Sequence, residues 1–205
     1  FNFFTEKLPY GIGSITKSRA IDAFLANLDV VMAGLFFNSI DAALYATAAR
    51  LAGATKLAMA VVNGVAVSFF AGITTGVTDS NYFWERYDVF RKKSIILFLI
   101  CLLGIFGILL ASQNFDISIN FSMPALIILI LSSAISASYG PCGSALQYSG
   151  FYYAVSRLLT KSLYLLVFST TVSVFFFSRI EGLAISVLIS TIYWNYQCLE
   201  FLKKE

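Results

Sequence analysis

The chain has 205 residues, of which 59% are hydrophobic, 16% aromatic and only 12% charged, with a formal net charge of +3 and a mean hydropathy of +0.81. Soluble domains carry about 25% charged residues, so a chain with half that share cannot cover a globule with solvated groups. The basic residues are scattered through several loops and form no clustered face, which excludes nucleic acid as a partner.

The chain begins at Phe1 rather than Met, and residues 1–9 lack the basic start and small-residue cleavage site of a signal peptide. A piece of a longer protein is therefore expected. Residues 1–20 read as an interfacial linker segment, residues 21–199 as a transmembrane lobe and residues 200–205 as a tail.

Charge-free runs over residues 57–78, 94–115, 117–156, 162–178 and 182–199 dominate the rest. A membrane-spanning helix needs about 20 apolar residues. Barrel strands alternate apolar with polar, whereas the run from Ser94 to Leu103 is apolar on every side. The fold class is all-α: a polytopic bundle of six spans near residues 21–38, 56–76, 94–112, 123–140, 161–178 and 182–199.

Basic residues orient these spans, because cytoplasmic loops hold an excess of Lys and Arg. Of the 14 basic residues, only Arg50, Lys56 and Arg179 fall in the loops opposite to the other eleven. This places both termini and the 82–93 loop on the cytoplasmic side of the inner membrane. Aromatic residues at Tyr82, Trp84, Tyr87, Tyr148, Tyr153, Trp194 and Tyr196 are expected to anchor the interfaces. Residues 81–93 are expected to lie along the surface as a short amphipathic helix.

Span one is the anomaly, since Asp22, Asn27, Asp29 and Asn38 interrupt an otherwise apolar segment. Asp29 lies about 10 Å further along a helix than Asp22, where an ionised group is expensive unless it faces a polar cavity or a cation. Asp22, Asn27 and Asp29 face broadly one side, read as the wall of a hydrated cleft. The competing reading makes Asp29 a structural group inside the bundle.

Ser39 is expected to cap a helix that starts well before the clean run of span two and carries Asp41, Tyr45 and Arg50. A guanidinium in the outer half of a bundle can grip phosphate oxygens in a fork. The alternatives for Arg50 are an ion pair with Asp41 or snorkelling to the outer surface. Further on, Ala60, Gly64, Ser68, Gly72 and Gly76 recur every four residues and predict a tight helix contact or a sliding face.

Gly140 and Pro141 end span four and open a turn with the option of a hinge. Cys101, Cys142 and Cys198 are isolated in sequence, so neither a disulfide framework nor a Cys-x-x-Cys metal or redox site is expected. Histidine is absent, which removes the Ser-His-Asp arrangement and imidazole-based acid–base chemistry or metal ligation. No enzyme activity, no metal and no cofactor are expected.

The order of these features resembles a known family. The run Asn27-Leu-Asp29-Val-Val-Met-Ala-Gly34, followed by Ile40-Asp-Ala-Ala-Leu-Tyr45-Ala-Thr-Ala-Ala-Arg50, resembles the first two helices of the C-terminal half of polysaccharide and O-antigen flippases. These belong to the multidrug/oligosaccharidyl-lipid/polysaccharide exporter superfamily. The segment from Gly140-Pro141 to Gly150 and the opening Gly182-Leu-Ala-Ile-Ser186 of the last helix are similar to that family's closing pattern.

The resemblance implies one lobe of a twelve-helix transporter that moves lipid-linked oligosaccharide across the cytoplasmic membrane by alternating access. Its partners would be the bilayer, a polyprenyl-linked oligosaccharide and a missing N-terminal six-helix lobe, against which the substrate cavity should lie. In that reading Arg50, Asn27 and Tyr45 are substrate-binding candidates, and Asp29 and Asp22 are ion-coupling or cavity-lining candidates. A cation-coupled multidrug exporter of the same superfamily and a non-catalytic membrane subunit are the alternatives.

Overall fold

A computed structural model describes residues 8–73, 80–114, 120–177 and 179–204. Among these residues every regular element is an α-helix. The order is α1 (Leu8–Phe36), α2 (Ser39–Ile73), α3 (Ser80–Asn114), α4 (Met123–Tyr139), α5 (Cys142–Tyr148), α6 (Tyr152–Phe177) and α7 (Glu181–Lys204).

Local chemistry explains the helix ends. Asn38, and not Ser39, caps α2: its Oδ1 accepts the Asp41 N–H at 2.8 Å while its Nδ2 donates to Asp41 Oδ2 at 2.9 Å. The shift by one residue arises because an amide can satisfy the backbone donor and also hold the first-turn carboxylate. Ser122 caps α4, its side chain accepting from Ala125 N, with Pro124 in the first turn, where a missing N–H costs nothing. Gly140 ends α4 at φ 74°, a left-handed conformation that favours glycine. The chain there turns through 47° into α5, so the expected loop after span four is mostly helix.

The polarity of the bundle is that of a membrane protein. Its outer face carries Leu35, Ile40, Leu103, Phe168, Phe175 and Phe176, all more than two-thirds exposed. Its interior holds Asp29, Thr55, Ser132, Ser133, Ser162, Ser186, Ser190 and Asn195. Water would select the reverse arrangement, whereas lipid tolerates an apolar exterior and drives polar groups inward. Hydroxyl pairs accordingly join the helices, Ser162 to Ser190 at 2.8 Å and Ser132 to Thr191 at 2.9 Å, where small side chains let backbones approach.

Six spans were expected, and length with composition supports fewer among the described residues. Ser39–Phe70, Tyr82–Ser112 and Tyr152–Phe176 qualify, and the bent pair α4–α5 makes a fourth if counted as one span. Helix α1 carries Arg19, Asp22 and Asp29, and α7 carries Asn195 and Gln197, so both are too polar to qualify.

Two further expectations are corrected. Residues 81–93 form no separate surface helix, because they are the opening turns of the continuous α3. Tyr87 is no interfacial anchor, since it is 2% exposed and its hydroxyl donates to Tyr139 O at 2.6 Å. Residues of the linker and tail segments are helical where described, as α1 starts at Leu8 and α7 runs to Lys204.

The small-residue stripe of α2 meets no helix of this chain at its described positions. Ala60, Gly64 and Ser68 are exposed, and a methyl group added at Gly64 would find open space. Nothing is described of the Gly72 surroundings, and Gly76 lies outside the described residues. The close approaches occur at other glycines. A Cβ on Gly140 would sit 3.0 Å from Arg91 Cα, one on Gly143 2.9 Å from Trp194 Cζ2, and one on Gly182 2.8 Å from Ser173 Cβ.

Candidate functional site

Two apolar clusters divide the bundle. One gathers Val62, Ala66 and Phe70 of α2 with Tyr87 and Phe90 of α3, α5, Val155 to Leu159 of α6 and the end of α7. The other gathers Ala33 of α1, Tyr45 to Ala52 of α2, Ala125 to Leu129 of α4 and Leu183 and Ala184 of α7. Along α2 the stretch between them holds Lys56, with Asn63 at the edge of the first cluster, and along α7 it runs from Val187 to Asn195. A polar belt therefore crosses the middle of the bundle.

Cavities occupy that belt. One of about 500 Å³ is lined by Asp22, Asp29, Lys56, Asn63, Ser132 and Asn195, among others. A second, of about 540 Å³, shares Asp22, Asn63, Trp194 and Asn195 with it and extends to Arg19, Gln147 and Tyr148. The two thus share a wall. Arg19 Nη2 donates to the Tyr148 hydroxyl at 3.2 Å, linking α1 to α5 at that end. A third cavity, about 210 Å³, brings together Asn27, Asp29, Arg50, Gly53 and Lys56.

Asp29 lines both the cavity of about 500 Å³ and the smallest one. Its side chain is buried and accepts from Val30 N at 2.9 Å and from the Tyr45 hydroxyl at 3.0 Å. Tyr45 itself is fully buried in an apolar cluster and lines none of these cavities, so its hydroxyl positions Asp29 rather than facing a ligand. Burial lifts a phenol's desolvation cost, and the carboxylate oxygen offsets it.

Comparison with family models, with curated proteins and with solved structures finds no match.

Arg50 is exposed at the rim of the smallest cavity. Asp41, its expected alternative partner, is held by Asn38, and no ion pair joins Arg50 to an acid among the described residues. Asn27 is exposed too, its Nδ2 donating to Ala23 O of its own helix at 3.3 Å. Asp22 stands on the wall shared by the two large cavities. Of the five sequence candidates, Asn27, Asp29 and Arg50 thus meet at one space, Asp22 adjoins it, and Tyr45 stands behind.

Sequence reading missed four residues of the belt. Lys56 entered only as a topology marker, and Trp194 only as an interfacial anchor. Asn63 interrupts the first apolar stretch of the charge-free run 57–78, and that placement was the available signal. Its Oδ1 is buried without a hydrogen-bond partner. Asn195, buried at the end of α7, gave no such signal. Among the described residues no group of three or more Cys, Asp or Glu is placed to hold a metal ion.

The belt can hold a polar group inside an apolar bundle. It offers carboxylates at Asp22 and Asp29, cations at Arg19, Arg50 and Lys56, and neutral amides and hydroxyls between them.

Proposed function

We propose that this chain is the C-terminal lobe of a transporter that flips lipid-linked oligosaccharide across the cytoplasmic membrane, with both termini on the cytoplasmic side. The observation that carries the reading is the polar belt set between two apolar clusters of a lipid-facing bundle. Each unpaired polar or charged group moved through hydrocarbon costs several kcal/mol. A wet path for sugars and phosphate, with the polyprenyl tail left in the bilayer, removes that cost without bond chemistry. Rocking against a second six-helix lobe would open the path to each side in turn.

In this mechanism Arg50 and Lys56 at the rim of the smallest cavity attract phosphate oxygens, and Asn27 supplies an amide for a sugar hydroxyl. Asp29, on the same cavity wall, limits how tightly an anion is retained. The resemblance of the Asn27 to Gly34 and Ile40 to Arg50 segments to polysaccharide flippases supports the same reading.

The test is complementation. The intact gene product, expressed in a strain lacking its polysaccharide flippase, should restore surface polysaccharide. Arg50→Ala and Asp29→Asn should abolish rescue at unchanged membrane abundance. Failure of the wild-type protein to complement, or full rescue by both variants, would sink the proposal.

A second reading, a cation-coupled exporter of amphipathic drugs, is favoured by the burial of Asp29 beside a cavity. It requires cation-driven efflux that disappears in Asp29→Asn.

A further inference from the structure

The transport reading makes no use of the cations that open α3. This helix runs without a break from Ser80 to Asn114, so its charged opening and its apolar continuation form one rod. At about 100° per residue, Tyr82, Arg86 and Lys93 fall on the same face as Ile96, Ile100 and Leu103. All of these side chains are exposed, so what this face meets is the lipid and its headgroups.

The charges on that face are uncommitted. Elsewhere Arg91 pairs with Asp88, Lys204 pairs with Glu200, and Arg19 donates to the Tyr148 hydroxyl. Arg86 and Lys93 make no ion pair among the described residues. Each stands over a ring instead, Arg86 Cζ 5.2 Å from the Tyr82 centroid and Lys93 Nζ 5.9 Å from that of Phe90. A ring holds a cation without neutralising it, which leaves the N–H groups for an anion. Glu85 and Lys92 border the face, and their charges offset each other.

We propose that this face binds an anionic phospholipid, with its phosphate held by Arg86 and Lys93 and an acyl chain laid along Ile96, Ile100 and Leu103. The two cations are separated by two helical turns, about 10 Å along the axis, and both stems are long enough to reach a phosphate between them. Charge complementarity selects the occupant. A zwitterionic headgroup brings a cation of its own to the pair, whereas an anionic headgroup leaves a negative charge for it to neutralise. A soluble phosphate lacks the chain that the apolar half of the face would cover.

The experiment is a lipid titration of the intact protein, purified in detergent and read by native mass spectrometry. Phosphatidylglycerol should bind about tenfold more tightly than phosphatidylcholine of the same chains. Each basic residue near a membrane surface is worth about fivefold toward an anionic lipid, so Arg86→Gln/Lys93→Gln should lose about thirtyfold for phosphatidylglycerol. Its affinity for phosphatidylcholine should stay unchanged. The control Lys17→Gln/Lys203→Gln removes the same charge from exposed positions elsewhere and should keep the wild-type affinity. A photoreactive phosphatidylglycerol should crosslink to the wild-type protein between Tyr82 and Leu103, a readout that needs no variant. Equal affinity for the two lipids, wild-type binding by the neutral variant, an equal loss in the control, crosslinks only outside α3, or displacement of the lipid by inorganic phosphate would each overturn the proposal. Every readout is of binding, so its failure leaves the transport reading untouched.

Discussion

The Tyr45 hydroxyl donates to Asp29 Oδ2 at 3.0 Å, tying α2 to α1 at the edge of the polar belt. Tyr45→Phe removes this donor and leaves a buried acceptor with only the Val30 N–H. A loss of about 1–3 kcal/mol is expected, read as a lower unfolding midpoint of the purified protein in detergent. An unchanged midpoint would mean that the pair does not hold the two helices together.

Glycine substitutions should separate true contacts from the sequence stripe. Gly182→Ala and Gly143→Ala press a methyl group into Ser173 and Trp194 and should each cost about 1–3 kcal/mol. Gly64→Ala enters open space and should be neutral or stabilising by about 0.5–1 kcal/mol through helix propensity. Thermal unfolding of the three variants side by side decides this. Equal losses at all three positions would show that Gly64 packs on a surface outside this chain.

The unpartnered Oδ1 of Asn63 should trade stability for transport. Asn63→Leu replaces an unsatisfied acceptor with an apolar group of similar size, and a gain of about 1 kcal/mol is expected. The complementation assay should show lost rescue at the same time. A destabilised Asn63→Leu protein would indicate that the oxygen has a partner in the membrane.

Removing the α2 cap by Asn38→Ala should cost about 1 kcal/mol, whereas Asn38→Gly should cost only a few tenths. Both the Asp41 N–H and its carboxylate lose their partner in either variant. Equal stability of the two variants would place the loss in the carboxylate contact and not in the cap.

Coupling between helices can be read at Ser162 and Ser190, whose hydroxyls meet at 2.8 Å. A double-mutant cycle to alanine should give about 0.6 kcal/mol, the usual size for hydroxyl pairs in membrane bundles. A coupling of zero would make the contact incidental.

Particular residues show why some of this was legible in advance. Span positions follow from runs without charge, so Met123–Tyr139 lies almost where the residues 123–140 were expected. The early start of α2, well ahead of its clean run, was likewise readable from the polar residue before Ile40 and the periodic apolar positions after it. The stripe at Ala60, Gly64 and Ser68 faces outward in this chain: small residues permit a close approach, but only the facing helix decides whether one occurs. Gly143 has no such pattern and is nonetheless in contact with Trp194.

Composition alone determined that the chain forms an α-helical membrane bundle, because helices satisfy their own backbone groups and an apolar exterior is stable only in lipid. It also marked Asp22, Asn27, Asp29 and Arg50 as unusual, since each is costly in hydrocarbon. Only the tertiary structure decided their company. Tyr45 behind Asp29, Asn27 of α1 with Arg50 and Lys56 of α2 around one cavity, and Cys142 against Asn195 are meetings between different helices. Helix rotation and register set such meetings through packing that no single segment encodes.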